Sequence, residues 1–431
     1  LSDLQLAHDL CDSEPDEALR LLTTTLRDDP DCAPALYLAG CIMCKADKHG
    51  LALPLFERAA KLAPSQSEAW NAVGTACHEL HKPVEARQAF KRALDLEHKA
   101  LYLVNLGVTY ADEGNHAEAL KWIHKAERLE PDLPNIPAAA AFSELATGDW
   151  ANGWRHYAAT LGGKFRKKLN FGAPDWDGSP VGRLILYGEQ GLGDEVMYAS
   201  CIADCRALAR EVVIECDPRL EGLYRRSFPW AEVHGTRRLA RHWDTRCDAQ
   251  ASVGSLPALF RSSPESCPRT PYLVADPEKR LMWRALFDSW KKPVIGIAWS
   301  GGKPQSQLGK RTIGLESFRP YIEEHDAVFV SLQYKDPRAE LDATGLPVRH
   351  FELGDDYDNT AALIAELDGM VGIHTTAHHV RGALGLPSTV LVPHAPLWNY
   401  VHGDRMPWYA AQVYHRQKRD ERWIDCIRRL Y

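Results

Sequence analysis

The stretch Leu184-Ile185-Leu186-Tyr187-Gly188-Glu189-Gln190-Gly191-Leu192-Gly193-Asp194 is an apolar run that passes directly into a glycine-rich loop. It reads as a strand. Behind Asp194, the residues Val196, Tyr198, Ala199, Ile202, Ala203 and Leu208 supply one apolar face of a helix, so the loop falls where strand turns into helix. In an open α/β sheet that is the usual ligand position. Gly191 and Gly193 let backbone approach a ligand closely, and Asp194 arrives at the helix start. A purely structural βα turn, with Asp194 capping the helix, satisfies the same pattern.

Downstream the alternation continues. Strands are expected at Arg183 to Tyr187, Glu211 to Glu215 and Glu232 to His234, with a helix around Pro218 to Ser227 and a less regular tail to about Thr270. After a helix from Pro277 to Trp290, a second α/β half opens with Val294-Ile295-Gly296-Ile297-Ala298-Trp299, then Ser300-Gly301-Gly302-Lys303 and the basic pair Lys310-Arg311. A helix (Phe318 to Glu324), a strand (Ala327 to Leu332), a helix over Thr360 to Leu367 capped by Asn359 or Thr360, and a short strand (Met370 to Ile373) follow. That strand ends in His374-Thr375-Thr376-Ala377-His378-His379 at the start of a helix closed by Gly385, and Ser388 to Val392 supplies another strand. Two such halves facing each other create a cleft, with the ligand-like loops of both at strand C-terminal ends.

Upstream, residues 162–182 form a joint punctuated by Gly162, Gly163, Gly172, Pro174, Gly178 and Pro180. Its basic cluster (Lys164, Arg166, Lys167, Lys168) is expected to be a solvated linker face. Before it, Pro30, Pro64, His98 and Pro131 mark spacings of 34, 34 and 33 residues. Gly40, Ala52, Phe56, Ala59 and Pro64 recur as Trp70, Gly74, Ala86, Phe90 and Ala93, and again as Leu106, Gly107, Tyr110, Ala119, Ala126 and Pro131. These units resemble tetratricopeptide repeats. Gly and Ala sit where two antiparallel helices cross too closely for larger side chains, aromatics fill the gaps, and Pro ends the second helix. A weaker unit opens with Glu17 to Leu26, and a degenerate one with Ala141, Gly148-Asp149-Trp150, Gly153-Trp154 and Tyr157 is expected to cap the array. Repeats of this kind hold a peptide or partner in their groove; a brace or dimer surface is the plainer role.

At 431 residues the chain is too long for one ordinary core, and three domains account for it. A net charge of -7 gives no electrostatic reason to expect nucleic acid or an anionic membrane surface. No apolar stretch approaches the ~20 residues of a membrane span. Leu1 to Leu10 carry Asp3, His8 and Asp9 in place of a basic-then-apolar leader. Eleven scattered cysteines fit reduced thiols in a cytoplasmic protein, and Cys41-x-x-Cys44 falls inside a helical repeat, where small buried residues are expected.

From about Arg183 to the end, roughly 250 residues, the chain resembles the glycosyltransferase-B (GT-B) architecture of heptosyltransferase-like inverting enzymes. The motifs that carry the likeness are the 188–194 loop, Gly296 to Gly301 with Arg311-Thr312-Ile313, Ser331-Leu332-Gln333, Thr360 to Ile364, His379 with Gly382 to Gly385, Pro407-Trp408-Tyr409 and Arg416-Gln417. The resemblance implies an α-helical repeat solenoid over 1–161, a linker over 162–182, an acceptor-side Rossmann-like half over 183–290 and a nucleotide-sugar half over 291–431. It implies a metal-independent, inverting transferase with no cofactor beyond its nucleotide-sugar donor. The acceptor hydroxyl then lies on a polypeptide, flagellin-like in such fusions, held by the repeats. A decayed, non-catalytic scaffold and a transferase acting on lipid-linked or polysaccharide acceptors are the competing readings.

In that family the Asp of the loop is the general base, which assigns the role to Asp194. Gly191, Gly193, Trp299 and His379 are expected at the donor site. Charge on the departing phosphate falls to Lys310, Arg311 and the helix start at Thr375 and Thr376. The run Asp355-Asp356-Tyr357-Asp358 is the acidic turn before the Thr360 helix and no metal site. His374 and His378 share i,i+4 spacing but lack a carboxylate partner for zinc. Two departures stand out: His374 replaces the Asp common before the Thr-Ala turn, and Leu397-Trp398 replaces Asp-Trp. Altered donor choice, neutral drift and lost activity are the three consequences open. Trp299, Trp398 and Trp408 are pocket or core aromatics.

Overall fold

The protein is described by a computed structural model covering residues 3–163, 166–237, 239–301, 312–401 and 403–430. Lys310 and Arg311 lie outside the described residues. The chain divides into two compact units, Leu1–Thr147 and Gly148–Tyr431.

The first unit is built of helices, among them Ala33–Lys45, His49–Leu62, Ser67–Glu79, Pro83–Leu96, Ala100–Asp112 and His116–Leu129, packed as successive antiparallel pairs. The repeat spacing has a direct physical cause. A Cβ added at Gly40, Gly74 or Gly107 would lie 2.6 Å from Phe56, 2.5 Å from Phe90 or 2.7 Å from Ile123. Each pair therefore closes by setting one glycine against a buried ring or branched side chain of its partner helix, which no larger residue permits. The helices ending at Asp28, Leu62, Leu96 and Leu129 stop two residues before Pro30, Pro64, His98 and Pro131.

The second unit holds two all-parallel sheets. In the first, β1 (Val181–Tyr187), β2 (Ala209–Glu215), β3 (Glu232–His234) and β4 (Ala249–Ser252) lie in the order β3-β2-β1-β4. In the second, β5 (Val294–Ala298), β6 (Val328–Ser331), β7 (Val348–Arg349), β8 (Gly369–Ile373), β9 (Ser388–Val392) and β10 (Gln412–Arg416) lie in the order β10-β9-β8-β5-β6-β7. Leu184 to Tyr187 are fully buried, so the opening run is the centre of the first core. Gly372 sits beside β5 with no room for a side chain, its added Cβ falling 2.1 Å from the Ala298 carbonyl oxygen.

Three differences from the sequence reading have identifiable causes. The helix Trp150–Ala159 falls in the second unit, outside the repeat array that the sequence ends at 161. Its Trp150 stacks on Trp408 (5.3 Å, 28°), and its Trp154 meets Trp398 and Tyr198 edge-on at 5.3 and 6.1 Å. The tryptophans are the reason: their apolar faces find their partners in that core. Trp398 and Trp408 are accordingly core residues. Next, the 360s helix begins earlier, at Tyr357, because Asp356 and not Asn359 or Thr360 caps it by accepting from the Asn359 N–H at 2.9 Å. Finally, Arg166 is no solvated linker residue: it is 3% exposed and paired with Glu189 at 2.8 Å.

Candidate functional site

The two sheets of the second unit are joined through the helices that follow two of their strands. The helix Leu192–Tyr198, which follows β1, packs on the helix Thr376–Ala383, which follows β8. Gly193 is the point of closest approach. A Cβ there would lie 3.2 Å from Thr376 Oγ1 and 3.3 Å from His379 Cδ2. Four of the expected site residues, Gly191, Gly193, Thr376 and His379, thus come together with Asp194. Gly191 is the N-cap of its helix, in extended backbone (φ -70°, ψ 161°), and Asp194 stands in the first turn, so Asp194 is not the cap. Its carboxylate lies close enough to Tyr157 and Tyr198 to join burial in pushing both hydroxyls' pKa upward. Those two hydroxyls lie 3.2 Å apart.

On the facing side, Thr375 is the extended N-cap of the helix Thr376–Ala383, and its Oγ1 has no hydrogen-bond partner among the described residues. Tyr357 pairs with the Thr376 side chain, while burial lifts the tyrosine to about 12. Gly301, in the loop after β5, abuts Thr375, its added Cβ falling 2.8 Å from Thr375 Cγ2. His379 is buried between two tyrosines, Nδ1 lying 3.1 Å from the Tyr409 hydroxyl and Nε2 3.5 Å from that of Tyr400.

Other expected residues fall elsewhere. Trp299 is 1% exposed in the second sheet's core, and its indole N–H donates to Glu340 at 2.6 Å, so its side chain is committed to packing and does not line the site. His374 is buried with its ring 4.4 Å from that of Tyr400. His378 is a core histidine held neutral by burial, its pKa lowered to about 3, with Nδ1 3.2 Å from the Ser388 hydroxyl. The acidic turn is spent on ion pairs: Asp356 with Lys279 (2.8 Å), Asp358 with Arg226, and Asp355 near Arg219 (3.6 Å). Among the described residues no group of three or more His, Cys, Asp or Glu is arranged to hold a metal ion.

Behind the glycine loop lies a buried polar layer that the sequence did not announce. Arg166 donates to Glu189 through Nε (3.1 Å) and Nη2 (2.8 Å), to the Tyr157 carbonyl and to the hydroxyls of Ser252 (3.1 Å) and Ser255 (3.0 Å). Tyr157 donates to the Gln190 side chain at 2.5 Å. Arg237, 6% exposed, donates to Glu195 (2.6 Å), the Gln190 carbonyl (2.8 Å) and Asp217 (2.6 Å). Burial pushes Glu195 up to about 7. Burial also acts to raise Asp217, but the hydrogen bonds from Arg219 and Arg237 overcome it and hold that carboxylate at about 2. Apart from the Tyr157 carbonyl, the partners of Arg166 and Arg237 lie 20 to 89 residues away in sequence. No periodicity or spacing rule reaches across such gaps; the one available signal is several charged residues close to apolar strand ends.

A tetratricopeptide-repeat family model matches residues 45–97 and 85–134, in agreement with the paired helices of the first unit. The fold and this match show tetratricopeptide repeats within residues 45–134, in a chain that also carries a second unit of parallel sheets. Over most of its length the chain is similar to protein FlbA of Caulobacter vibrioides, with 26% identity over 460 aligned positions, 91% of this chain and 77% of FlbA. Among solved structures, TTC0263, a repeat protein of Thermus thermophilus, is 23% identical with a TM-score of 0.33, covering 37% of this chain and 88% of its own. YrrB, described as a repeat protein with an unusual peptide-binding site, is 21% identical with a TM-score of 0.32, covering 36% and 82%.

Proposed function

We propose that the second unit is a metal-independent glycosyltransferase of GT-B type that moves a sugar from a nucleotide-activated donor to a hydroxyl of a polypeptide acceptor recruited by the repeats. One observation carries the proposal: the β1 glycine loop meets the start of the helix after β8 at Gly193, with Asp194 as the next residue. Sugar transfer needs a base for the acceptor hydroxyl and relief of charge on the leaving phosphate. Asp194 supplies the first. The backbone N–H groups at Thr376 and beyond, together with the Thr375 hydroxyl, are suited to the second. The sequence likeness to heptosyltransferase-like enzymes covers both loops. A flagellin-like protein is the acceptor class such fusions suggest.

A non-catalytic scaffold is the second reading, favoured by one feature. His374, standing where the family has a carboxylate, is 2% exposed and packed on Tyr400 rather than open to a ligand. Nucleotide binding separates the readings. In a thermal-shift screen of the whole chain against uridine, guanosine, adenosine and cytidine diphosphates, the transferase reading expects one base to stabilise by about 2.7 kcal/mol at 100 times its dissociation constant. No shift with any of the four, alone or with the acceptor protein present, favours the scaffold. Removal of residues 1–147 then tests the acceptor: a protein-directed enzyme loses peptide transfer but keeps donor hydrolysis.

A further inference from the structure

The turn that presents Asp194 contains two glycines, Gly191 and Gly193, and glycine backbone does not hold one conformation by itself. The turn is the first of the helix Leu192–Tyr198 and is closed from within by the Glu195 N–H donating to the Gly191 carbonyl at 3.0 Å, and its two ends are also tied from outside. Arg237 emerges just beyond β3, and its Nη1 donates both to the carbonyl oxygen of Gln190 at 2.8 Å and to Glu195 Oε2 at 2.6 Å. Those acceptors are the residues immediately before Gly191 and immediately after Asp194. One guanidinium nitrogen therefore closes the turn on itself, and Nη2 anchors it to Asp217 at 2.6 Å, beyond the end of β2. The Asp217 N–H in turn donates to Glu195 Oε1 at 3.0 Å, so neither the carboxylate nor the guanidinium is free to rotate.

Stability alone does not account for this arrangement. A buried ion-pair network is often no more stabilising than well-packed apolar residues of the same volume. Here Arg237 Nε has no hydrogen-bond partner among the described residues, so the network even carries an unsatisfied donor. What the network does specify is geometry, since it fixes the ends of a four-residue turn that apolar contacts would leave able to slide.

We propose that Arg237 is a positioning residue for Asp194, bridging the two ends of the Gly191–Asp194 turn so that Asp194 is held next to the point where Gly193 meets Thr376. The catalytic part of this inference rests on the transferase reading; the bridging part does not. Two independent pins act on the residues just upstream, Arg166 on Glu189 and Tyr157 on the Gln190 side chain. Loss of Arg237 should therefore loosen the turn without releasing β1.

The test uses the full chain as wild type, Arg237→Gln and Arg237→Lys, with two readouts. In hydrogen–deuterium exchange, Arg237→Gln is expected to raise exchange across residues 189–196 about tenfold while residues 209–215 in β2 stay protected, with Arg237→Lys intermediate. In sugar transfer, kcat is expected to fall about 10- to 100-fold, the cost of displacing a reacting group by about 1 Å, with donor KM changed by less than about twofold and partial recovery in Arg237→Lys. Unchanged exchange across 189–196 overturns the bridge. Raised exchange with unchanged kcat overturns the positioning role, as does a rise in KM alone. If Arg237→Gln does not fold, Glu195→Gln opens the same bridge from its other end and is read in the same two ways. A wild-type chain that transfers no sugar from any donor sinks the transferase reading and the positioning role with it, and the exchange measurement still decides whether Arg237 closes the turn.

Discussion

Gly74→Ala and Gly50→Ala are the same substitution in neighbouring helices of the repeat unit, and the packing account assigns them opposite signs. Gly50 is exposed in the helix His49–Leu62, and a Cβ there would meet nothing within 4 Å. Alanine gains helix propensity and loses nothing, so Gly50→Ala should stabilise by about 0.5–1 kcal/mol. At Gly74 the same Cβ would fall 2.5, 2.6 and 2.9 Å from Cε1, Cδ1 and Cζ of Phe90, whose side chain is 1% exposed. That is about 1 Å inside an ordinary carbon contact. Overpacking of this kind costs about 1–3 kcal/mol, which exceeds the propensity gain and leaves a net loss of about 1 kcal/mol. Native-state hydrogen exchange of the helices Ser67–Glu79 and Pro83–Leu96 in rising urea isolates the repeat unit within the whole chain. Adding Phe90→Leu removes the clashing ring, so the double variant should be more stable than the sum of the singles by at least about 1 kcal/mol. Stabilisation of Gly74→Ala equal to that of Gly50→Ala, or strict additivity with Phe90→Leu, would refute the glycine–aromatic crossing as the cause of the repeat.

Three further outcomes follow from particular contacts. The hydrogen bonds that His78 makes to Asp112, 2.6 Å from Nε2, and to Glu79 lift its imidazolium to about 9, so its stabilisation is complete below about 6.5 and lost as pH rises through 9. His78→Gln should flatten that window, on the order of 2 kcal/mol in urea midpoints at pH 6 and 9.5; an unchanged slope would assign the pH dependence elsewhere. Trp408→Ala removes the stacked partner of Trp150 and should cost the second unit about 3–5 kcal/mol in unfolding, whereas a loss under ~1 kcal/mol would mean the tryptophan cluster is not tightly packed. Gly193→Ala forces Thr376 or His379 to yield by a few tenths of an ångström and should lower transfer about tenfold or more with little change in melting temperature; full turnover would show that the approach is slack.

The repeat period was legible because the same glycine–bulky-residue crossing is rebuilt in each unit, at Gly40 with Phe56, Gly74 with Phe90 and Gly107 with Ile123. The strands β1, β2, β5, β6, β8 and β9 were legible as short apolar runs next to turn residues, and β3, Glu232-Val233-His234, as one apolar residue alternating with polar ones. Those that escaped lack that contrast. Ala249-Gln250-Ala251-Ser252 is fully buried yet half polar, with Gln250 satisfied by the Phe171 N–H at 2.6 Å; β7 is two residues long; β10 begins at Gln412 and ends at Arg416. The glycine loop with Gly193 and Asp194 and the helix start at Thr376 were legible as positions in the fold because loop composition and helix starts are local features, whereas His379 was expected only from the family resemblance. Arg166, Glu195 and Arg237 were not, since a charged residue bound for the interior looks like a solvated one until its partner from another element is known.

The most direct measurement is sugar transfer followed by intact-mass spectrometry, comparing the wild-type chain with Asp194→Ala on a protein acceptor and the nucleotide-sugar whose base gives the thermal shift. The transferase account predicts one added sugar mass per modified site with wild type, and a rate lower by about 10²- to 10⁴-fold with Asp194→Ala at equal nucleotide affinity. Equal rates for the two proteins would remove Asp194 from the chemistry, and no mass gain with wild type on any acceptor would contradict the account as a whole.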